Sequence, residues 1–286
     1  MMKNLMRLAA LLLAMLLLCT AAMAEDALRG YSKKEGYVYL TFGTFPQTAE
    51  GGVEPILWRV LGVKNGQAYI LSEYVLEARR IHGDEVEYNN KPTNTKKPGI
   101  DGDFTKTEMS LYLNGDFTAN FTAGELALIA PDATLGLFFL ASGNDLKNSS
   151  YGFTSDQSRK AWGTEYAKEN GLFVYGSSRG NHSPYWTRDR SSSYKYGARC
   201  IKSKGELGYI NVITVDEGMR PGCYLDLSKV VILGGSGTME DPYQLLSESS
   251  VPAAEEVPAA DATTTCNCAP EGEKCDCCDC CTCSLR

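Results

Sequence analysis

The chain has 286 residues, 43% of them hydrophobic and 10% aromatic, with a formal net charge of -7. That balance gives no basic footprint for a phosphate backbone, which argues against nucleic acid as a partner. With only His82 and His182 present, a multi-histidine metal centre within one protomer is excluded as well.

Lys3 and Arg7 precede an apolar run from Leu8 to Leu18, and Ala22-Met23-Ala24 precedes Glu25. This is the charged, apolar and small-residue order of a secretory signal, so residues 1–24 are expected to leave the mature chain. The run is too short for a spanning helix, which needs about 20 apolar residues. Lipid attachment at Cys19 is the alternative, although Leu18 stands where lipoprotein signals want a small residue. Loss of Lys3 and Arg7 takes the charge from -7 to -9. Residues 246–286 hold -6 of it, with eight acids against Lys274 and Arg286, and by subtraction -3 remains on 25–245. A segment of that size buries a sizeable core as one domain.

Within 25–245, Tyr37-Val38-Tyr39-Leu40-Thr41-Phe42 has the aromatic and β-branched content of a strand, ended by a turn at Gly43-Thr44-Phe45-Pro46-Gln47. Strands over 56–61 and 67–72 are joined by Lys64-Asn65-Gly66, a strong hairpin signal. Residues 82–104 read as a long exposed loop. Within it Asp101-Gly102-Asp103 lacks the further ligands of a calcium loop and reads as a solvated turn. Thr122 followed by Glu125 before Leu126-Ala127-Leu128 is a capping-box signature. Leu135 to Leu140 is a buried-strand candidate. Ser158 to Asn170, stopped by Gly171, reads as an amphipathic helix carrying Trp162 and Tyr166.

The last third reads as successive short strands: 185–189, 197–201, 206–211, 223–227 and 230–233, with Gly218-Met219-Arg220-Pro221 between. Residues 246–265 turn to Ser, Pro, Ala, Glu and Thr, a disordered acidic linker. Residues 266–286 form a Cys-rich tail.

Candidate chemistry falls in three places. Trp186, Arg188, Asp189, Arg190, Arg199 and Arg220 combine aromatic area with planar donors, the groups a sugar or carboxylate-bearing ligand needs. The structural alternative has Arg220 hydrogen-bonding carbonyls across a sheet, with Trp58 and Trp162 in the core. Cys200 and Cys223 flank strands and form either a disulfide or two small buried thiols. The tail carries Cys266, Cys268, Cys275, Cys277, Cys278, Cys280, Cys281 and Cys283. It resembles metallothionein in spacing: such thiolates hold Zn or Cu, or in an oxidising compartment form disulfides. Gly176-Ser177-Ser178-Arg179-Gly180 matches the nucleophile-elbow spacing but runs into Asn181-His182-Ser183-Pro184 and reads as a glycine-rich turn. His182 reads as a solvated loop histidine.

An ordered set of short motifs also resembles a family of uncharacterised domains in secreted and surface proteins of Gram-positive bacteria. The set includes Phe42-Gly43-Thr44-Phe45-Pro46-Gln47, Pro55 to Leu61, Tyr112-Leu113-Asn114, Phe139-Leu140-Ala141-Ser142, Trp186-Thr187-Arg188 and Gly218-Met219-Arg220-Pro221. The final third is similar to the C-type-lectin-like fold shared with formylglycine-generating enzymes. The resemblance implies an α+β domain with short antiparallel strands, two or three short helices and long loops. It implies no activity, because a fold does not define one.

The expectation is a secreted or cell-surface, non-catalytic binding domain for a surface glycan or protein, with no cofactor in the folded part and Zn or Cu on the tail. It is not membrane-spanning. The alternatives are a formylglycine-generating-type oxidoreductase, for which Cys200 and Cys223 are the available thiols, and an extracellular metal-sequestering protein.

Overall fold

The computed structural model describes residues 22–83, 100, 102–176 and 181–247. The chain divides into two units, Met1–Val251 and Pro252–Arg286; the second, with the cysteine tail, lies outside the described residues, as do residues 1–21 and 84–99. Residues 22–27 are helical, and Ala24 and Leu28 are buried against the core. Among the described residues no helix is long and apolar enough to cross a membrane.

Three strands open the fold: β1 (Val38–Pro46), β2 (Val53–Lys64) and β3 (Gln67–Ser72). The β2–β3 hairpin turns on Asn65 and Gly66, both at positive φ (53° and 71°), the backbone that a type I′ turn requires and Asn-Gly supplies. β1 runs through its expected terminating turn, because a register break between Thr41 and Thr44 absorbs Gly43 at φ 65°. A Cβ at Gly43 would lie 2.2 Å from the Phe121 ring, so glycine there serves packing as well as backbone. β4 (Glu77–Ala78) follows, then four short helices, α1 (Glu108–Leu113), α2 (Ala123–Leu128), α3 (Asp156–Arg159) and α4 (Glu165–Glu169). Between α2 and α3 lies β5 (Phe139–Leu140), and between α3 and α4 lies β6 (Ala161–Trp162). The remainder is strand: β7 (His182–Ser183), β8 (Tyr185–Arg190), β9 (Gly197–Ile201), β10 (Leu207–Asn211), β11 (Gly218–Met219), β12 (Pro221–Asp226), β13 (Val230–Gly234) and β14 (Tyr243–Ser247).

These strands form a seven-stranded sheet in the order β13-β14-β1-β2-β3-β12-β5, a five-stranded sheet in the order β10-β9-β8-β11-β4, and the β6–β7 pair. The described chain is thus α+β, mostly strand with short helices. The α2 capping box forms in full: Thr122 Oγ1 accepts from the Glu125 amide, and the Glu125 carboxylate accepts from the Thr122 amide. The helix expected over 158–170 is instead α3, β6 and α4. Gly163 lies between β6 and α4, and Thr164 caps a fresh helix by accepting from the Ala167 amide. Of the strand expected over 135–140 only Phe139 and Leu140 form a strand, while Gly136 makes an isolated bridge to Asp132. Asp132 ties the residues before it into a turn by accepting from the Thr134 and Leu135 amides.

Aromatic packing dominates the core. Trp58 is fully buried and donates from Nε1 to the Phe42 carbonyl at 2.7 Å. Phe117, Phe121 and Phe138 interlock at centroid distances of 4.6–5.4 Å, the tilted and edge-on contacts that aromatic rings prefer. Trp162 departs from its expected core place: it is 40% exposed, and its ring lies against buried His182 at 4.6 Å. His182 is therefore a strand residue under a tryptophan and not a solvated loop side chain.

Two of the crossings between the large sheets are short. The chain passes from β3 to β4, and from β11 through Arg220 to β12. Arg220 donates from Nε to the Ser72 carbonyl at 2.8 Å, and buried Glu73 forms a bidentate ion pair with Arg59. Burial alone would raise the Glu73 pKa, but the Arg59 charge and hydrogen bonds, with Arg220, outweigh it and hold the carboxyl below its usual value. Gly218-Met219-Arg220-Pro221 is thus a joint between sheets.

Candidate binding cleft

The first wall of the candidate site comes from β8 and β9. Strand alternation would send Arg188 and Asp189 to opposite faces. The β8–β9 register breaks between Trp186 and Arg190, and this irregularity lets Arg188, Asp189 and Arg190 line one cleft with Arg199 of β9. Arg199 is the residue of β9 that escapes full burial.

Each polar group on this wall is held differently. Arg188 donates from Nη1 to the Leu140 carbonyl at 2.7 Å and lies 3.0 Å from Asp145 Oδ2. Burial would lower its pKa, but Asp145 and neighbouring groups outweigh that and raise it, so its charge is fixed. Asp189 Oδ2 accepts from the Gly143 amide at 2.6 Å, and Asp145 Oδ2 from the Ser142 amide at 2.8 Å. These bonds dock the 142–145 turn on β8 and set Asn144 at the cleft. Among the described residues the Arg199 side chain has no hydrogen-bond or ion-pair partner.

The opposite rim comprises Asp103 and Thr105, with Thr134 and Leu135 beyond. Asp103 Oδ1 accepts from the Thr105 amide at 3.0 Å and its hydroxyl at 2.6 Å, and the hydroxyl bond foremost lowers the Asp103 pKa. Thr134 and Leu135 are positioned through Asn114. Its Nδ2 donates to the Ser110, Leu135 and Phe138 carbonyls, and its Oδ1 accepts from the Leu137 and Phe138 amides. The whole encloses about 850 Å³, within the range of small-ligand sites. Three guanidinium groups and two carboxylates line the cleft, and a third carboxylate, Asp145, pairs with Arg188 beside it.

Four of the six expected ligand residues, Arg188, Asp189, Arg190 and Arg199, therefore meet in one cleft. Trp186 and Arg220 do not. Trp186 is buried and donates from Nε1 to the Arg79 carbonyl at 2.7 Å; Arg220 is 1% exposed with its guanidinium over the Tyr185 ring. Burial lowers the Arg220 pKa against the opposing influence of Tyr185. Thr105, Thr134 and Asn144 escape the sequence reading because they sit in short irregular segments without periodicity, and Asp103 reads there only as part of a solvated turn. The one local signal is Asp-x-Thr at 103–105, which favours an Asx turn.

The disulfide between Cys200 and Cys223 is not formed. Both are free, buried thiols, and they belong to different sheets: Cys200 on β9 faces Trp186 and Gly208, while Cys223 on β12 faces Ile70. Burial, with the Glu217 charge, pushes Cys200 up to about 12, and burial raises Cys223 well above the usual thiol value. Among the described residues no group of three or more His, Cys, Asp or Glu is placed to hold a metal ion. The eight tail cysteines and residues 177–180 of the elbow match lie outside the described residues.

No curated protein and no solved structure matches the chain. A family model matches residues 65–227, a span that holds β3 through β12 and every wall of the cleft. The chain belongs to the family described as a domain of unknown function (DUF6273).

Proposed function

We propose that this chain is a secreted or surface-associated, non-catalytic binding domain whose arginine cleft takes a carboxylate-bearing surface glycan. The observation that carries the reading is the convergence of Arg188, Arg190 and Arg199 in one open, polar cleft beside Asp189 and Asn144. Guanidinium forks match carboxylates bidentately, while carboxylate and amide oxygens accept from sugar hydroxyls. The C-type-lectin-like architecture belongs to the same proposal, supported by short antiparallel strands, short helices and functional groups carried on irregular connections.

The test is titration of the full chain with sialyllactose, trigalacturonate, neutral lactose and an acidic peptide. An acidic saccharide is expected to bind and lactose not to. Arg199→Ala should weaken binding at least tenfold, about 1.4 kcal/mol, with an unchanged melting temperature. Binding of the peptide alone would move the ligand to the protein class, and an unaltered affinity in Arg199→Ala would end the reading.

The oxidoreductase alternative needs accessible thiols of lowered pKa. Buried, separated Cys200 and Cys223 with raised pKa weigh against it. The cysteine tail is proposed as a Zn or Cu site, on its eight closely spaced thiols. Metal content of reduced full chain is expected to exceed that of a chain lacking residues 266–286; equal content would contradict a metal-holding or metal-sequestering tail.

A further inference from the structure

A second hollow, of about 510 Å³, shares no lining residue with the arginine cleft. Its chemistry is different. Three tyrosines, Tyr69, Tyr151 and Tyr224, line it together with Asn65, Gln67 and Asp132. Tyr69 is a buried anchor, its hydroxyl donating to Asp145 Oδ2 at 3.5 Å, and the Tyr151 ring stands edge-on to it at 5.7 Å and 83°. Tyr224 tilts against Tyr69 at 5.1 Å and is itself backed by Phe139 at 5.2 Å. Gly62 leaves room for this arrangement: a Cβ there would lie 2.9 Å from Tyr151 Cε1.

We infer that this hollow is a saccharide site for a neutral sugar ring. Tyrosine rings present broad apolar faces and a polar tip at low cost in side-chain entropy, and the axial C–H face of a pyranose fits such a face. Around the rings stand two side-chain amides and a carboxylate, planar groups that bridge neighbouring hydroxyls. Asp132 spends Oδ1 on the Thr134 and Leu135 amides, which fixes the carboxylate and leaves the capacity of Oδ2 for a hydroxyl. Asn65 is fixed in the hairpin turn at φ 53°. The tyrosine rings are tilted to one another and form no parallel slot, which disfavours a flat aromatic ligand. Lys64 and Asp132 cancel in charge among the lining residues, which disfavours an ionic one.

The inference stands independently of the arginine cleft, and its test separates the two. Full chain is titrated with maltotetraose, cellotetraose and chitotetraose, with saturation-transfer NMR to report the contact and melting temperature to report folding. At least one of the three is expected to bind. Tyr151→Ala, at a partly exposed ring, should weaken that binding at least tenfold while the protein still melts cooperatively. Gln67→Ala, at an exposed amide, should weaken it without touching the core, and Arg199→Ala should leave it unchanged. The inference is overturned if none of the three sugars binds, if binding survives both Tyr151→Ala and Gln67→Ala, or if Arg199→Ala abolishes it.

Discussion

Glu217 shows how much one side chain depends on its surroundings. It is 4% exposed, Oε1 lies 3.5 Å from Lys202 Nζ, and Oε2 has no hydrogen-bond partner among the described residues. Burial raises its pKa from 4.5 to about 7, against the opposing Lys202 charge, with Asp216 adding to the rise. The folded chain therefore binds a proton that the unfolded chain has released between those values. The stability this confers is fully present below pH 4.5 and is lost as pH rises through about 7. Glu217→Gln is expected to remove the loss, flattening the stability difference between pH 5 and pH 8 by roughly 2–3 kcal/mol. Denaturant titrations of both proteins across that interval check it; parallel pH profiles would show that Glu217 ionises as freely in the folded chain as in the unfolded. Nothing at Glu217 announces this in the sequence, because its burial is set by the fold, and Lys202, Phe173 and Ile210, which line a hollow with it, come from other parts of the chain.

At the scale of elements, Asn114 links helix α1 to the connection that precedes β5. It makes five bonds to backbone, two of them to the Leu137 and Phe138 amides at 2.6 and 3.2 Å. Asn114→Ala leaves several of those part-buried groups unpaired and is expected to destabilise by about 2–4 kcal/mol. It should also weaken cleft binding, since Thr134 and Leu135 lie on the same connection. A loss below about 1 kcal/mol in chemical denaturation would mean that α1 and this connection hold together without it. Elements were legible where chemistry is local. Asn65-Gly66 set the hairpin, and Thr122 with Glu125 set the α2 cap. The helix expected over 158–170 failed because periodicity of Trp162 and Tyr166 mimics an amphipathic face, whereas Ala161 and Trp162 pair with β7 through a contact distant in sequence.

For the whole molecule, the α+β class was legible in the density of short apolar runs, and the sheet order was not. β1 pairs in parallel with β14, and β12 inserts between β3 and β5; such pairings leave no local trace. Four of the eleven residues that line the cleft could be read from residue type, since arginines gathered on neighbouring strands invite a binding role. Arg188 and Asp189 share a wall only because β8 loses register after Trp186, and Arg220 leaves the site because it closes the joint between sheets. One carboxylate stands between the two hollows: Asp145 Oδ2 meets Arg188 at 3.0 Å and the Tyr69 hydroxyl at 3.5 Å.

The central claim, that the arginine cleft binds an acidic saccharide, is most directly tested by calorimetric titration of the full chain with trigalacturonate at low and physiological ionic strength. Saturable binding that weakens with added salt and is reduced at least tenfold by Arg199→Ala is the expected result. Absence of binding at low salt, or salt-insensitive binding that Arg199→Ala leaves intact, would contradict it.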